Sequence, residues 1–500
     1  MHQLFEVLRH RASVAGEKIA FDDGTVRLAY APLSSRVAGA AEDLQAITSS
    51  PPVIGLLGGN SVDWIIGQLA AWYSGKIVVP LPTFFRVPQL QQVIADAGIC
   101  HVICTSDTVA TARLLGVPFS PVSRRCASVI SGPKPGGAQI VYTSGTTGTP
   151  KGVLLASGQV MWSASALALA SGASAEDTYL SVLPMALLLE TICAVMVPVL
   201  AGATVRIDRT VATTFGVSEC CAVAPIVDAH RPTCMVLVPH LLASWVAELD
   251  AAGERAPDNL RFVAVGGAPV PVALAQNGWD LGIPVHEGYG LSECSSVVSL
   301  NRPGDRKIGT VGKPIPGLDV RIDAGEIVVR GPSLMDRYLH GPSTQGLWRT
   351  GDVGEFDADG FLIVRGRIDN LLVTSLGRNI SPEWIESLLL GDARIALCVV
   401  SITEGRHLTA IIVPTARAEK WFQLATAEEI HSLIAGCCRD APGYAVPRRY
   451  TIVCAAELIR FGLLTGNGRI RRKSMLEYYA TALGIGETAP AQIPSADIAR

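Results

Sequence analysis

The first two thirds of the chain alternate between short apolar runs and stretches in which apolar residues recur with helical spacing. One such unit starts with the run Val53–Leu57, continues through a polar turn, and places apolar residues at Ile65, Leu69 and Trp72 before a second run, Ile77–Val79. Apolar residues three to four positions apart mark one face of a helix, whereas short uninterrupted apolar runs are typical of buried strands. The pattern therefore predicts a β-α-β unit.

The same alternation recurs at residues 234–249 and 261–276, where an apolar run again meets a proline or glycine turn and then a helical pattern. In the first unit, Ser61 or Asn60 can cap the helix and Gly75 can end it. Repeated units of this kind imply parallel sheet with helices on its faces. The predicted fold class is therefore α/β, with a large N-terminal domain of layered α/β subdomains.

The pattern changes near residue 309. From there to residue 364, short apolar runs alternate with glycine and proline, as in GEIVVRGP and DADGFLIVRG, which predicts hairpins and a β-rich subdomain. The sequence that follows indicates a small α+β C-terminal domain. We expect domains over residues 1–368 and 369–483, and a frayed tail over 484–500 because that segment is polar and contains proline.

Composition and charge narrow the function classes. With 41 Lys+Arg against 44 Asp+Glu, the net charge of −3 favours a small-molecule partner over nucleic acid.

The apolar segment Met185–Val205 contains Glu190, Pro198 and Gly202, which are unfavourable in a lipid-facing helix. We therefore expect a buried helix followed by a strand and no transmembrane segment. The first residues lack the apolar core of a signal peptide, which favours a cytoplasmic location.

A loop rich in hydroxyls and glycine separates the apolar run Ile140–Tyr142 from a helical pattern. Residues 142–152 read YTSGTTGTPKG. Backbone N–H groups and hydroxyls in such a turn can converge on one anion, with Lys151 supplying a positive charge. The loop is not a Walker A motif, because Pro150 stands where that motif requires its second glycine. From this loop alone, an anion cradle, a solvated linker and a plain turn all stay open.

Four further motifs follow the loop in order: GYGLSE (288–293), WRTGD (348–352), GRIDNLLVTSLGRNISPEWIE (366–386) and LTGNGRIRRK (464–473). Together with TSGTTGTPKG, they strongly resemble the adenylate-forming superfamily, which includes acyl-CoA synthetases, acyl-AMP ligases, peptide-synthetase adenylation domains and luciferases. The pattern is closest to long-chain acyl-CoA synthetase-like AMP-binding proteins. The resemblance implies an N-terminal AMP-binding domain and a C-terminal domain that is mobile.

The resemblance also implies which residues meet the phosphates of ATP and the Mg²⁺ ion. Ser292 should contact the α-phosphate, and Glu293 should hold the Mg²⁺ that bridges phosphate oxygens. A carboxylate that attacks an α-phosphate brings two anions together, so metal, cations and N–H donors must neutralise the charge. The β- and γ-phosphates should be cradled by Thr143, Ser144, Gly145, Thr146, Thr147 and Lys151.

By the same resemblance, Gly267 and Ala268 should border the adenine and Tyr289 should stack on its face. Asp352 should accept hydrogen bonds from both ribose hydroxyls. Three positions near or in the C-terminal domain have implied roles of their own: Arg367 should reach the ribose and phosphate side, Asp369 matches the hinge, and Gly377 matches the thiol tunnel.

Two segments depart from the family's pattern. Arg469 stands where the family usually has a lysine that bridges carboxylate and α-phosphate, and a planar guanidinium is not equivalent to a compact ammonium. The neighbouring Arg471, Arg472 and Lys473 could substitute for it or could form a solvated face.

In the second segment, LPMALLLETICAV (183–195), the family's aromatic or histidine gate and the aspartate of amino-acid-activating domains are both missing. An apolar acyl or aryl acid is therefore favoured by Met185, Leu187 and Leu188. Glu190 is either a structural carboxylate or a reader of a polar substrate group.

The leading hypothesis is an enzyme that activates a carboxylic acid as acyl-AMP, releases pyrophosphate, and passes the acyl group to coenzyme A or to the phosphopantetheine thiol of an acyl carrier protein. The first alternative is transfer to an amine or another acceptor, or adenylation of a small oxyacid such as nitrite. The second alternative, motivated by Arg469, is an ATP- or AMP-binding protein that has lost turnover.

Overall fold

The structure is a computed structural model that describes residues 1–47, 53–127, 134, 136–143, 151–214, 222–373, 379–402, 408–439, 441–464 and 470–479. The chain divides into two compact units, Met1–Val364 and Arg365–Arg500. The domain boundary expected after residue 368 stays a prediction, and the expected tail over 484–500 lies outside the described residues.

The elements of the first unit follow one another in the order that the alternating pattern predicts. Its strands are β1 (Ile19–Asp22), β2 (Arg27–Ala29), β3 (Val53–Leu57), β4 (Ile77–Leu81), β5 (His101–Cys104), β6 (Phe119–Pro121), β7 (Ala138–Thr143), β8 (Lys151–Ala156), β9 (Thr178–Ser181), β10 (Thr204–Ile207), β11 (Cys234–Leu237), β12 (Phe262–Val265), β13 (Val285–Tyr289), β14 (Ser299–Leu300), β15 (Lys313–Pro314), β16 (Asp319–Asp323), β17 (Glu326–Arg330), β18 (Arg337–Tyr338), β19 (Trp348–Phe356) and β20 (Leu362–Arg367), the last of which runs across the boundary between the units. Its α-helices are α1 (His2–Val14), α2 (Tyr30–Ile47), α3 (Val62–Tyr73), α4 (Val87–Ala97), α5 (Val109–Arg113), α6 (Ser157–Ala170), α7 (Leu188–Glu190), α8 (Val197–Ala201), α9 (Arg209–Thr214), α10 (Ala224–His230), α11 (Pro239–Ala252) and α12 (Val272–Asp280).

Two large sheets organise this unit. One has the strand order β15-β14-β13-β12-β11-β9-β10-β1-β2, and the other has the order β18-β8-β7-β4-β3-β5-β6. Strands β9 to β13 are parallel where they pair, as are β3, β4 and β5, which confirms the predicted α/β class. The β-rich subdomain is the antiparallel sheet β16-β17-β19-β20.

The β3-α3-β4 unit forms at the predicted residues. Ser61 caps α3, since its Oγ accepts a hydrogen bond from the Trp64 N–H at 3.2 Å, and Gly75 follows the helix with a φ of 72°. Every residue of α3 except Asp63 is buried, as expected of a helix that is apolar on all sides. The core around it includes residues of both large sheets.

The segment Met185–Val205 forms a buried helical stretch followed by strand β10, as predicted. The stretch contains α7, a π-helical segment (Thr191–Met196) and α8, and it ends at Gly202, whose φ is 80°. None of the helices in the described part of the chain is both long and apolar enough to cross a membrane.

The second unit is built on a sheet with the order β23-β24-β25. Its strands are β21 (Leu372–Val373), β22 (Asn379–Ile380), β23 (Ile395–Ile402), β24 (Leu408–Pro414) and β25 (Arg449–Ile452), and its α-helices are α13 (Pro382–Leu389), α14 (Glu419–Leu424), α15 (Ala427–Cys437), α16 (Ala455–Arg460) and α17 (Arg472–Tyr478). The mixture of helix and sheet is the predicted α+β composition.

Candidate active site

The hydroxyl-rich loop joins two antiparallel strands. Thr143 at the end of β7 pairs with Lys151 at the start of β8, so these two residues close the hairpin, and the Lys151 side chain is exposed. The helical pattern expected after the loop is α6, which begins at Ser157, and the unpredicted strand β8 stands between the loop and this helix. Four of the expected phosphate-cradling residues, namely Ser144, Gly145, Thr146 and Thr147, lie outside the described residues.

The GYGLSE motif forms a tight bend directly after β13. A Cβ on Gly290 would lie 1.5 Å from the Ser296 carbonyl oxygen, so only glycine fits there. Ser292 and Glu293 follow in a 3₁₀ turn, after which Ser295 and Ser296 have φ values of 50° and 96°. Non-glycine residues in this region are costly and cluster at functional sites. The bend holds Ser292 and Glu293 at the end of a buried strand.

Tyr289 is joined to Asp352 of the WRTGD motif. The phenolic O–H donates to Asp352 Oδ2 at 2.5 Å. Burial raises the pKa of Tyr289 well above its ordinary value, and the nearby Asp352 charge adds to this shift, so the phenol stays a neutral donor. The pairing register of β19 with β17 shifts between Arg349 and Val353, and Gly351 has a φ of 72°. Irregularities of this kind re-aim side chains next to functional sites.

Gly267 and Ala268 follow β12, the strand that pairs with the strand of Tyr289. Because β12 is parallel to β13, with Val265 opposite Glu287, both segments leave the same edge of the sheet. Gly267 has a φ of 86°, and both residues are exposed. Ligands of open parallel sheets bind at the carboxyl ends of the strands, which is where these residues lie.

Lys151 and Glu293 are connected by a residue that the sequence analysis missed, Tyr338. Its O–H donates to Glu293 Oε1 at 2.7 Å, and Lys151 Nζ lies 5.6 Å from the centre of its ring. Tyr338 lies in β18, which pairs with β8. Its sequence context, LMDRYLH, has no glycine, charge pattern or spacing that marks it, so only the fold brings it to the site.

Glu190 lies in the core, away from any surface. Its Oε2 accepts from the Tyr179 O–H at 2.9 Å, and its Oε1 accepts from the Ser181 O–H at 2.6 Å, both on β9. The residue has no exposed surface, and burial raises its pKa to about 8. These contacts support the structural interpretation and not the reading of a substrate group.

The second unit carries Arg367 and Asp369, at the end of β20 and in the 3₁₀ turn Ile368–Asn370. Asp369 is exposed. Gly377 and Arg469 lie outside the described residues. The implied roles of all four residues stay predictions.

Two of the basic residues that follow Arg469 form hydrogen bonds within the second unit. Arg472 Nη2 donates to both oxygens of the buried Glu386 at 2.6 Å, and its Nη1 donates to the Val400 carbonyl at 3.0 Å. Arg471 Nε donates to the Leu464 carbonyl at 3.1 Å, and Lys473 is exposed. Arg472 is therefore bound to groups inside the second unit, which argues against a role as a substitute for Arg469.

Glu293 suits a magnesium ion that is held mainly by substrate phosphates. Mg²⁺ prefers oxygen ligands and is commonly bound through one or two carboxylates plus phosphates and water. Glu293 is partly exposed, and in the part of the chain that the structure describes no lysine or arginine forms an ion pair with it. The hydrogen bond from Tyr338 is accepted by Oε1 and leaves the negative charge of the carboxylate in place.

Comparison with known proteins agrees with this geometry. The family model of AMP-binding enzymes matches residues 8–339. A 2-succinylbenzoate-CoA ligase of Geobacillus kaustophilus is 30% identical over 89% of this chain and 93% of its own. A feruloyl-CoA synthase of an Amycolatopsis species is 30% identical over 81% of this chain and 87% of its own. The crystal structure of an anthranilate CoA ligase in complex with anthranoyl-AMP has a TM-score of 0.83 at 20% identity, covering 96% of this chain and 97% of that one.

The structural likeness confirms the predicted fold, and the sequence matches confirm the predicted class of enzyme, an adenylate-forming acid ligase. With a family match of this extent and relatives of this coverage, the chain belongs to the family of AMP-binding enzymes.

Proposed function

We propose that this protein activates a carboxylic acid with ATP, releases pyrophosphate to form an acyl-adenylate, and then transfers the acyl group to the thiol of coenzyme A. The observation that carries the proposal is a pair of contact groups that join different sheets of the first unit: Tyr289 with Asp352, and Tyr338 with Glu293 and Lys151. The first pair suits a nucleoside, and the second group suits a metal-bound polyphosphate.

The nucleoside would lie against the exposed backbone of Gly267 and Ala268, with the Tyr289 ring on the adenine face. Asp352, held by the Tyr289 O–H, would accept from the ribose hydroxyls. Buried charged acceptors with fixed orientation give strong and selective hydrogen bonds. Arg367 would reach the nucleotide from the side of its ribose and phosphates. Asp369 would serve as the hinge of the mobile C-terminal domain.

The phosphates would lie along the hairpin that Thr143 and Lys151 close, with Ser144, Gly145, Thr146 and Thr147 as further donors and Ser292 at the α-phosphate. Glu293 would hold a Mg²⁺ ion, which when bound neutralises charge on the phosphate oxygens. Lys151 supplies a second positive charge on the same side. These groups would lower the repulsion between the substrate carboxylate and the α-phosphate, the two anions that react.

In the first half-reaction, a carboxylate oxygen attacks the α-phosphorus and the bond to pyrophosphate breaks. In the second, the thiol sulfur attacks the acyl carbon, the bond to the AMP oxygen breaks, and AMP leaves. Arg469 would bridge the carboxylate and the α-phosphate in the first half-reaction, and Gly377 would line the approach of the thiol in the second. AMP is a far better leaving group than oxide, which is what the activation achieves.

An apolar aryl or acyl acid is the substrate class that we favour. Met185 and Leu188 are buried in the segment that replaces the family's gate, and Asn60 holds this segment by accepting from the Met185 N–H at 2.8 Å and donating to the Leu183 carbonyl at 2.7 Å. The names of two relatives at 30% identity, a feruloyl-CoA synthase and a 2-succinylbenzoate-CoA ligase, support an aromatic acid.

A carrier-protein thiol, an amine, or adenylation of a small oxyacid such as nitrite are further possibilities for the acceptor or the acid. A protein that binds ATP or AMP without turnover is the remaining alternative, and it is motivated by Arg469. Because Lys151, Glu293 and Asp352 each have a defined side-chain partner, we favour turnover.

Pyrophosphate release from ATP and Mg²⁺ tests the proposal. The assay uses a panel of hydroxycinnamic, benzoic, fatty and small acids, each with and without coenzyme A, a carrier protein or an amine. Acid-dependent release with thioester formation only in the presence of coenzyme A supports the proposal. Measurable ATP binding without release for any acid would favour the protein without turnover.

A further inference from the structure

One short segment of the chain connects Glu293 with the hairpin that begins its second strand at Lys151. This bridging segment, Met335–Leu339, carries no family motif that the sequence analysis used. At one end, the Met335 N–H donates to the Glu293 carbonyl at 2.8 Å. At the other end, the Leu339 N–H donates to the Gly152 carbonyl at 2.8 Å, next to Lys151. The bridging segment therefore holds the backbone of Glu293 and the base of the hairpin at the same time.

The bridging segment is fixed to the hairpin by strand pairing. Tyr338 lies opposite Val153, and Arg337 lies opposite Leu154, in an antiparallel ladder between β18 and β8. Gln159 of α6 adds a side-chain bond, since its Nε2 donates to Asp336 Oδ1 at 2.7 Å. A displacement of the hairpin therefore displaces Tyr338 with it.

The side chain of Tyr338 completes the connection. Its O–H donates to Glu293 Oε1 at 2.7 Å, its face lies 5.6 Å from Lys151 Nζ, and its edge meets Trp348 with 5.8 Å between ring centres. The half-buried ring is thus held on one side by Trp348 while it contacts the two charged groups on the others. A packed ring with a fixed O–H is a rigid donor, because it has few rotamers to lose.

A phenol is well suited to orient a carboxylate that must bind a cation. A lysine or arginine at this place would neutralise Glu293 and compete with the metal, whereas the neutral O–H fixes one oxygen and leaves the negative charge in place. The ring face meanwhile attracts the ammonium of Lys151 without removing its charge. The Tyr338 side chain can therefore position both the Glu293 carboxylate and the Lys151 ammonium for the same bound polyphosphate.

We propose that Tyr338 is a positioning residue that orients the Glu293 carboxylate for Mg²⁺ and aligns Lys151 with it. The inference rests on the proposed function only in assigning Mg²⁺-ATP as the ligand of this cluster. It assigns to the bridging segment the task of keeping Glu293 and Lys151 in register.

The test measures Mg²⁺-dependent ATP binding by isothermal titration calorimetry of the full-length protein. The variants are Tyr338→Phe, which keeps the ring and removes the hydroxyl, and Tyr479→Phe, a matched control that removes a tyrosine O–H donated to Glu457 at 3.1 Å in the second unit. We expect Tyr338→Phe to need about tenfold more Mg²⁺ for half-maximal ATP binding, in keeping with the loss of one hydrogen bond to a charged group. ATP binding without Mg²⁺ should be unchanged, and Tyr479→Phe should match the wild type.

Two further variants show whether the effect passes through the named groups. In a Glu293→Gln background, adding Tyr338→Phe should cause no additional rise in the Mg²⁺ requirement, because the carboxylate that it orients is gone. Tyr338→Leu removes the ring as well and should also weaken ATP binding without Mg²⁺. The inference is overturned if Tyr338→Phe titrates with Mg²⁺ as the wild type does, or if its effect persists in the Glu293→Gln background.

These outcomes separate the inference from the proposed function. Binding of Mg²⁺-ATP is measured without any acid or thiol, so the Tyr338 comparison gives an answer whether or not pyrophosphate is released. Absence of acid-dependent turnover in a wild type that binds Mg²⁺-ATP would defeat the proposed function alone.

Discussion

The Tyr289 O–H donates to Asp352 with 2.5 Å between Oη and Oδ2, and this bond joins the end of a parallel strand of one sheet to the irregular part of strand β19 in the antiparallel sheet. Each partner comes from a different motif, 63 positions apart in the sequence. A nucleoside that meets one of these residues therefore meets both.

Asp352→Asn should weaken ATP binding by about tenfold or more, because a neutral amide replaces a charged acceptor of hydrogen bonds. Tyr289→Phe should have a smaller effect, since it removes only the bond that orients Asp352. Calorimetric titration with ATP and with AMP measures both variants. Equal losses for the two ligands would place the contact at the nucleoside, and unchanged affinity in Asp352→Asn would exclude Asp352 from the site.

Glu293→Gln should lower Mg²⁺-dependent turnover by several orders of magnitude, because the metal-binding charge is lost while the side-chain shape is kept. The fold should stay intact, as Glu293 is partly exposed and its backbone bond from Met335 is unaffected. Circular dichroism and a thermal melt serve as controls. Near-normal turnover at saturating ATP would be incompatible with a metal role for Glu293.

Glu190→Gln should flatten the dependence of stability on pH. The folded pKa of Glu190 is raised from 4.5 to about 8, so between these values the folded state binds more protons than the unfolded state and stability falls as the pH rises. The stability that Glu190 contributes is fully present below pH 4.5 and is lost as the pH rises through about 8. A glutamine cannot titrate, so the variant should lose less stability than the wild type over this range.

Urea denaturation at both ends of this pH range measures the Glu190 effect. Glu287, which is also buried with a pKa raised to about 8, stays in both proteins, so its contribution cancels in the comparison. Glu6→Gln, at an exposed surface position, is the control and should show the wild-type slope. Parallel curves for Glu190→Gln and the wild type would refute the buried neutral carboxyl.

Arg472→Ala should destabilise the second unit by about 3 kcal/mol, because it removes the cationic partner of the buried Glu386 carboxylate and leaves only the Val400 N–H as donor to it. Arg469→Ala should instead leave stability unchanged and slow the formation of the acyl-adenylate, with transfer from a supplied acyl-adenylate less affected. Thermal melts and separate assays of the two half-reactions distinguish the variants. A stable Arg472→Ala variant with slowed adenylation would show that the two arginines have exchanged roles.

Local patterns were sufficient for much of the fold. The β3-α3-β4 unit follows directly from the apolar run, the Ser61 cap and Gly75, because each is determined by neighbours in the sequence. The strand β8 was missed because its apolar residues run directly into the helical pattern of α6. A helix preference of adjacent residues cannot reveal that Lys151 must pair with Thr143.

Site residues that stand in sequence motifs could be predicted, whereas a residue that reaches the site only through tertiary packing was missed. Tyr289, Glu293 and Asp352 stand in recognisable motifs, whereas Tyr338 reaches Glu293 only because β18 pairs with a strand that is distant in the sequence.

Transfer of a labelled oxygen tests the central claim most directly. The acid that is most active in the pyrophosphate assay is labelled with ¹⁸O in its carboxylate and incubated with the protein, ATP, Mg²⁺ and coenzyme A, and the AMP is analysed by mass spectrometry. If the carboxylate attacks the α-phosphorus, each AMP formed carries one labelled oxygen and the pyrophosphate carries none. Thioester formed with unlabelled AMP, or with label in the other phosphate product, would contradict an acyl-adenylate intermediate.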